Sequence, residues 1–307
     1  MHRTLRRLLV LGVSGWVGLV SSGAAELILK PVADTAILGV NPDNNLGATP
    51  ELPVGAVNRL EGEIRTRMLL RFDLSVLPAG AWVSRAVLGV EVLVKRDGSG
   101  PAAVGAHRLL RTWGEGSKAG LQGVVASEGE ATWNERLKGG GAWAEPGGKG
   151  GVDFVAEASA VTTVDDLGPV LFSESAGLLE DVRKWQSDAG VNFGWILVGR
   201  DESVLASARR LGSREHPTAS PTLRLEYSLP ELVPFDSVGL QGDSIQLQFH
   251  ANAGNVYTVW YRPALDSEGW LTLTNVVSKL VPAEAVVSDT PEDGVRYYQL
   301  AITGQVD

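Results

Sequence analysis

Residues 65–74, Arg-Thr-Arg-Met-Leu-Leu-Arg-Phe-Asp-Leu, and residues 83–95, Val-Ser-Arg-Ala-Val-Leu-Gly-Val-Glu-Val-Leu-Val-Lys, decide the fold class. In the first, Met68, Leu70, Phe72 and Leu74 recur at every second position against Arg67, Arg71 and Asp73. That is the period of a strand with one buried and one wet face. In the second, Ala86, Leu88, Val90, Val92 and Val94 alternate with Gly89, Glu91 and Lys95. Leu77-Pro78-Ala79-Gly80 between them cannot continue a ladder, because proline has no amide donor. The reading is a central hairpin of two long strands joined by a proline loop.

The rest of the chain agrees with that period. Short alternating runs outnumber helical ones, and 37 glycines in 307 residues supply turns. Together they predict an all-β protein built as a sandwich or barrel, with length for about two domains. One helical pattern stands out: Leu178, Leu179, Val182 and Trp185 recur at three and four residues, placing one short helix over 174–186, ended by Asp188-Ala189-Gly190.

Residues 1–25 read as a secretory signal peptide. Arg3, Arg6 and Arg7 precede an apolar run from Leu8 to Val20, followed by Ser22, Gly23, Ala24 and Ala25. An uncleaved anchor is the alternative, but the run is short for a span of about 20 residues and is diluted by glycine. Export predicts a secreted, extracellular, periplasmic or cell-surface location. Cysteine is absent, so no disulfide supports the exported chain. Loss of the three arginines moves the formal charge from -9 to -12. An overall field of that sign argues against nucleic acid and against an anionic membrane surface as partners.

Candidate ligand-binding residues follow from the outward positions. Arg67 and Arg71 share the wet face of their strand and Arg65 extends the row, which suits an acidic polymer; the other reading pairs Arg71 with Asp73 or Glu91. Arg209, Arg210 and Arg214 form a second patch. Trp113 and Trp133 read as core, whereas Trp143, inside Gly-Gly-Gly-Ala-Trp-Ala-Glu-Pro-Gly-Gly, reads as an exposed platform for sugar rings. The stretch Asn41-Pro42-Asp43-Asn44-Asn45-Leu46-Gly47 is a tight surface loop by composition. Its sharper reading is a structural Ca²⁺ site with Asp34, Asp43 and Asn45 as hard oxygen ligands, though the spacing is not that of an EF-hand.

The ordered landmarks Ala33-Asp34-Thr35, Asn45-Leu46-Gly47, Leu69-Leu70-Arg71-Phe72-Asp73-Leu74, Trp113-Gly114-Glu115-Gly116, Thr132-Trp133, Asn192-Phe193-Gly194-Trp195, Ser213-Arg214-Glu215 and Pro221-Thr222-Leu223 carry a resemblance. Over residues 26–228 the chain resembles the DNRLRE domain, also classed as carbohydrate-binding module family 96. The resemblance implies a jelly-roll-like sandwich in a secreted bacterial protein, often beside polysaccharide-degrading enzymes, with some members binding alginate. Residues 229–234 read as a short stiff linker, and 235–307 as a small immunoglobulin or fibronectin type III-like sandwich. That second part is similar to C-terminal modules of large secreted proteins from Verrucomicrobia-like bacteria, where it is a spacer or display element.

Catalysis is not the expected role. The histidines, His2, His107, His216 and His250, have no metal-pair spacing, and neither a cysteine nucleophile nor a Gly-x-Ser-x-Gly elbow occurs. The leading expectation is a non-catalytic protein that binds an extracellular, acidic, alginate-like polysaccharide. The alternative is a structural or cell-surface interaction protein, and a polysaccharide-degrading enzyme is third.

Overall fold

The computed structural model describes residues 25–306 apart from 79, 173, 265, 267–268, 279–280 and 292–295. The expected signal segment, residues 1–25, lies outside the described residues except for Ala25. The protein is an all-β sandwich protein with one α-helix among the described residues, as the alternation predicted. The chain divides into two compact units, one of residues 25–77 with 83–227 and one including residues 78–82 with 228–307.

The larger unit is a curled antiparallel sheet. Its strands run in the order Ala25–Leu29, Thr222–Ser228, Trp82–Lys95, Arg209–Gly212, Glu51–Ala56, Arg65–Phe72, Trp195–Gly199, Ala102–Arg108, Ala160–Val164. Pro31–Leu38 adds to Arg65–Phe72, and Gly168–Leu171 adds to Trp82–Lys95. Glu51–Ala56 pairs with Arg209–Gly212 along one part and with Arg65–Phe72 along another, so it carries the sheet round the corner. The two strands quoted first are therefore not a hairpin: two other strands stand between them. A loop of this length leaves their pairing free, so the long-range ladder decides it.

Curling closes one core between the two halves. Met68, Leu70 and Phe72 face Leu88, Val90, Val92, Leu211, Leu223 and Leu225 within a single cluster. The helix Ala176–Ser187 seals it with Leu178, Val182 and Trp185. Ser175 accepts a hydrogen bond from the Leu178 amide, satisfying one of the unpaired donors of the first turn. Trp185 and Trp195 meet edge to face at 4.5 Å between ring centroids. The Trp195 indole donates to Asp181 at 2.7 Å, and Arg108 and Ser159 complete that carboxylate's partners.

A second apolar cluster lies on the other face of Arg65–Phe72. Leu69, Ile37 and Ile196 from the sheet meet Leu109, Trp113, Ala131, Trp133, Trp143 and Phe154 from the long connection after Ala102–Arg108. The strand is thus buried on both faces, not half-wet: Leu69, at 0% exposure, is as buried as Met68 and Leu70. Gly147 packs against Trp133, where a Cβ would come within 2.5 Å of the indole while the backbone sits at φ +87°.

The smaller unit has a four-stranded sheet, Glu231–Val233, Tyr297–Gln305, Asn255–Arg262 and Leu271–Val277, and a three-stranded one, Ser237–Gln241, Ser244–Ala251 and Ala283–Asp289. Ile245, Leu247, Phe249, Tyr257, Val259, Val287 and Leu300 form their shared core. Glu231–Val233, in the stretch read as a linker, is the edge strand of the larger sheet, paired with Tyr297–Gln305. Tyr298 donates to Asp289 at 2.6 Å and Arg296 pairs with the same carboxylate at 2.8 Å.

Candidate functional site

The arginine row is only partly a surface. Arg67 is 6% exposed: its Nε and Nη2 donate to Glu202 at 2.9 and 2.6 Å, and its Nη1 donates to the Gly147 and Gly148 carbonyls. Its guanidinium also lies over the Trp133 and Phe154 rings. Every face of the group is occupied, so Arg67 clamps the covering loops to the sheet and does not present charge to a ligand. Arg65 is half-buried, bonded to Glu63 and stacked on Trp133. It holds the Glu63 carboxyl down at about 2, mainly through their side-chain hydrogen bond. Arg71 is half-buried, with Asp73 as the neighbouring charge. The row does not converge on one platform.

Trp143 is buried, at 4% exposure, and its indole donates to the Thr132 carbonyl at 2.9 Å. Of the flanking glycines, Gly147 serves the close packing of the loops against Trp133. Trp113 and Trp133 are core residues, as their reading predicted.

The three candidate metal ligands also separate. Asp43 points outward and pairs with Lys138 at 3.2 Å. Asn45 is fully buried, its Nδ2 donating to the carbonyls of Glu115 and Ala131 and its Oδ1 accepting from the Gly47 amide. With both ends of the carboxamide engaged, Asn45 pins the loop and has its oxygen committed. Asp34 remains, joined by two residues that entered the sequence reading only as landmarks: Glu115 and Glu215 each bring a carboxylate oxygen within 4.8 Å of the others.

The geometry of this acidic cluster is set by backbone. Asp34, on the strand Pro31–Leu38, donates its amide to Glu115 Oε1 at 2.9 Å. The Arg214 amide, just past Arg209–Gly212, donates to Asp34 Oδ2 at 2.7 Å. The Arg214 side chain pairs with Glu115 at 2.5 Å and with Glu215 at 2.9 Å. Asp34 is fully buried, and its Oδ1 has no hydrogen-bond partner. Burial, reinforced by the charges of Glu215 and Glu115, pushes its carboxyl up to about 8 against the pull of the Arg214 amide.

Elsewhere on the same unit lies a cleft of about 540 Å³. Arg59, Lys95, Arg96, Arg209 and Arg210 line it with Leu38, Val40, Pro53, Val57, Val94, Leu121 and other uncharged residues, and among the described residues no aspartate or glutamate does. Arg209 is fully buried, held by the Gly100 and Ser207 carbonyls, and burial lowers its pKa from the ordinary value. Lys95 reaches Asp166, itself largely exposed, and Arg210 reaches Glu51 at 3.7 Å. The exposed Arg59 and Arg96 side chains make no ion pair or hydrogen bond among the described residues. Ala206, at φ +61° the one described non-glycine residue with positive φ, also lines the cleft.

Arg209 and Arg210 belonged to the second patch expected from sequence, but Arg214 does not join them: it serves the acidic cluster. Arg59, Lys95 and Arg96 were missed. The adjacent Lys95-Arg96 pair at the end of a strand was the available signal. No family model and no curated protein matches the chain.

Proposed function

We propose that this protein is a non-catalytic, secreted carbohydrate-binding protein whose larger sandwich takes an acidic, alginate-like polysaccharide in the basic cleft. The observation that carries the reading is the lining: five cationic and no acidic side chains in a chain whose formal charge is -9. A concave site of roughly 300–1,000 Å³ with a few polar groups and an apolar floor is usual for small ligands. Guanidinium groups match carboxylates in planar, two-bonded geometry, and Arg59 and Arg96 have that capacity uncommitted. Val40, Pro53, Val57 and Leu121 offer C–H surface against sugar rings. The resemblance to the DNRLRE domain points the same way.

The test is affinity electrophoresis through gels containing alginate, pectin, fucoidan, xylan or no polymer. The expected result is retardation by an acidic polymer that weakens with salt and is lost in the Arg59→Ala, Arg96→Ala double variant. Equal mobility in every gel overturns the reading. It would favour a protein-contact role, for which Leu121, Val124 and Val125, three exposed apolar side chains within five residues, are the supporting feature.

A further inference from the structure

We propose that Asp34, Glu115 and Glu215 hold a divalent cation of calcium size, a site independent of the basic cleft. Three observations carry this. The ligand atoms of the three carboxylates lie within 4.8 Å of one another. Oxygens bound to a common Ca²⁺ at about 2.3–2.6 Å are separated by at most about twice that distance, so one ion can reach all three. Asp34 is fully buried, and no N–H or O–H of the other described residues donates to its Oδ1. Such an atom is costly unless something positive meets it.

The third observation is charge. Three carboxylates face one guanidinium, that of Arg214, which is spread over Glu115 and Glu215 and meets Asp34 only through its backbone amide. With all three ionised the surplus is two negative charges, the number a divalent cation neutralises. Oxygen ligands of this hardness suit Ca²⁺ over a softer transition metal. The groups facing Asp34 are the carboxylates of Glu115 and Glu215 and the Arg214 amide.

The binding site differs from the one expected on composition. Asp34 is retained, Asp43 and Asn45 leave, and their places are taken by Glu115 and Glu215, 81 and 181 positions away in sequence. Gly47 shapes the neighbourhood, because a Cβ there would meet the Glu115 carbonyl at 2.2 Å.

The experiment is calorimetric titration of the purified, chelator-treated full chain with CaCl₂, with thermal unfolding alongside. The expected result is one ion per chain and a raised unfolding midpoint. Asp34→Asn should abolish binding. Glu215→Gln, at a half-buried position less critical for folding, should weaken it about tenfold or more. Should Asp34→Asn not fold, the Glu215 variant decides. No heat and no midpoint shift would overturn the proposal. Binding unchanged in Glu215→Gln would place the ion elsewhere and overturn it equally.

Discussion

Arg67 and Arg96 carry the same group into opposite situations. Arg67 leaves its strand into a closed compartment where Glu202, two glycine carbonyls and two aromatic rings occupy every side of the guanidinium. Arg96 follows a strand end into an open cleft in which no acid lines the wall. The difference teaches that availability, not charge, separates a binding arginine from a structural one. Arginine in an alternating strand reads as outward, but outward from one core is inward to another when a long loop folds back over the sheet.

The comparison can be broken most forcefully at Arg67. Arg67→Ala leaves the half-buried Glu202 and two carbonyls without their partner, and loss of one member of a buried pair costs up to about 3–5 kcal/mol. Chemical denaturation should show that loss, with glycan retardation retained wherever the variant is folded. Retardation lost with stability intact would return Arg67 to the ligand.

Asp34 gives the next effect. In the ion-free protein its carboxyl is pushed up from 3.8 to about 8, so the folded state binds a proton that the unfolded chain releases. Stability from this group is full below the unfolded value and falls as pH rises toward 8. Asp34→Asn should flatten that decline in unfolding free energy against pH, and calcium should flatten it in the parent protein. An unchanged slope in the variant would show that the decline comes from other groups.

Smaller still is the helix cap. Ser175→Ala removes the acceptor for the Leu178 amide and should cost about 1 kcal/mol, read as a lower denaturation midpoint without change in the dependence on calcium or glycan. The smallest effect on stability is expected in the cleft. Arg59→Ala with Arg96→Ala breaks no ion pair or side-chain hydrogen bond among the described residues, so the unfolding midpoint should stay where it is while retardation by an acidic polymer disappears. A large fall in midpoint would mean that these arginines, like Arg67, are structural.

Much of the fold was legible. Met68, Leu70 and Phe72 face the main core as their alternation predicted, and the three-and-four spacing of Leu178, Val182 and Trp185 located the helix within two residues. Leu69 was a signal passed over: an apolar residue between Met68 and Leu70 cannot belong to a wet face, and it marks the second cluster. Less of the candidate sites was legible. Asp34 was found by its residue type, but Glu115 and Glu215 arrive from segments far along the chain, and no local period links them.

By itself the sequence determined what local chemistry can determine: strand period, helix stripe, the proline and glycine breaks, the absence of cysteine and the acidic balance. The periods and stripes depend on neighbours two to four positions apart, where geometry is set by the backbone, and the last two are composition alone. Only the tertiary structure decided that the two central strands are not partners, that Arg67 and Trp143 are enclosed, and that three distant carboxylates meet. Burial and convergence depend on which segment covers which face, and that is settled by long-range ladders and packing that no short window of residues contains.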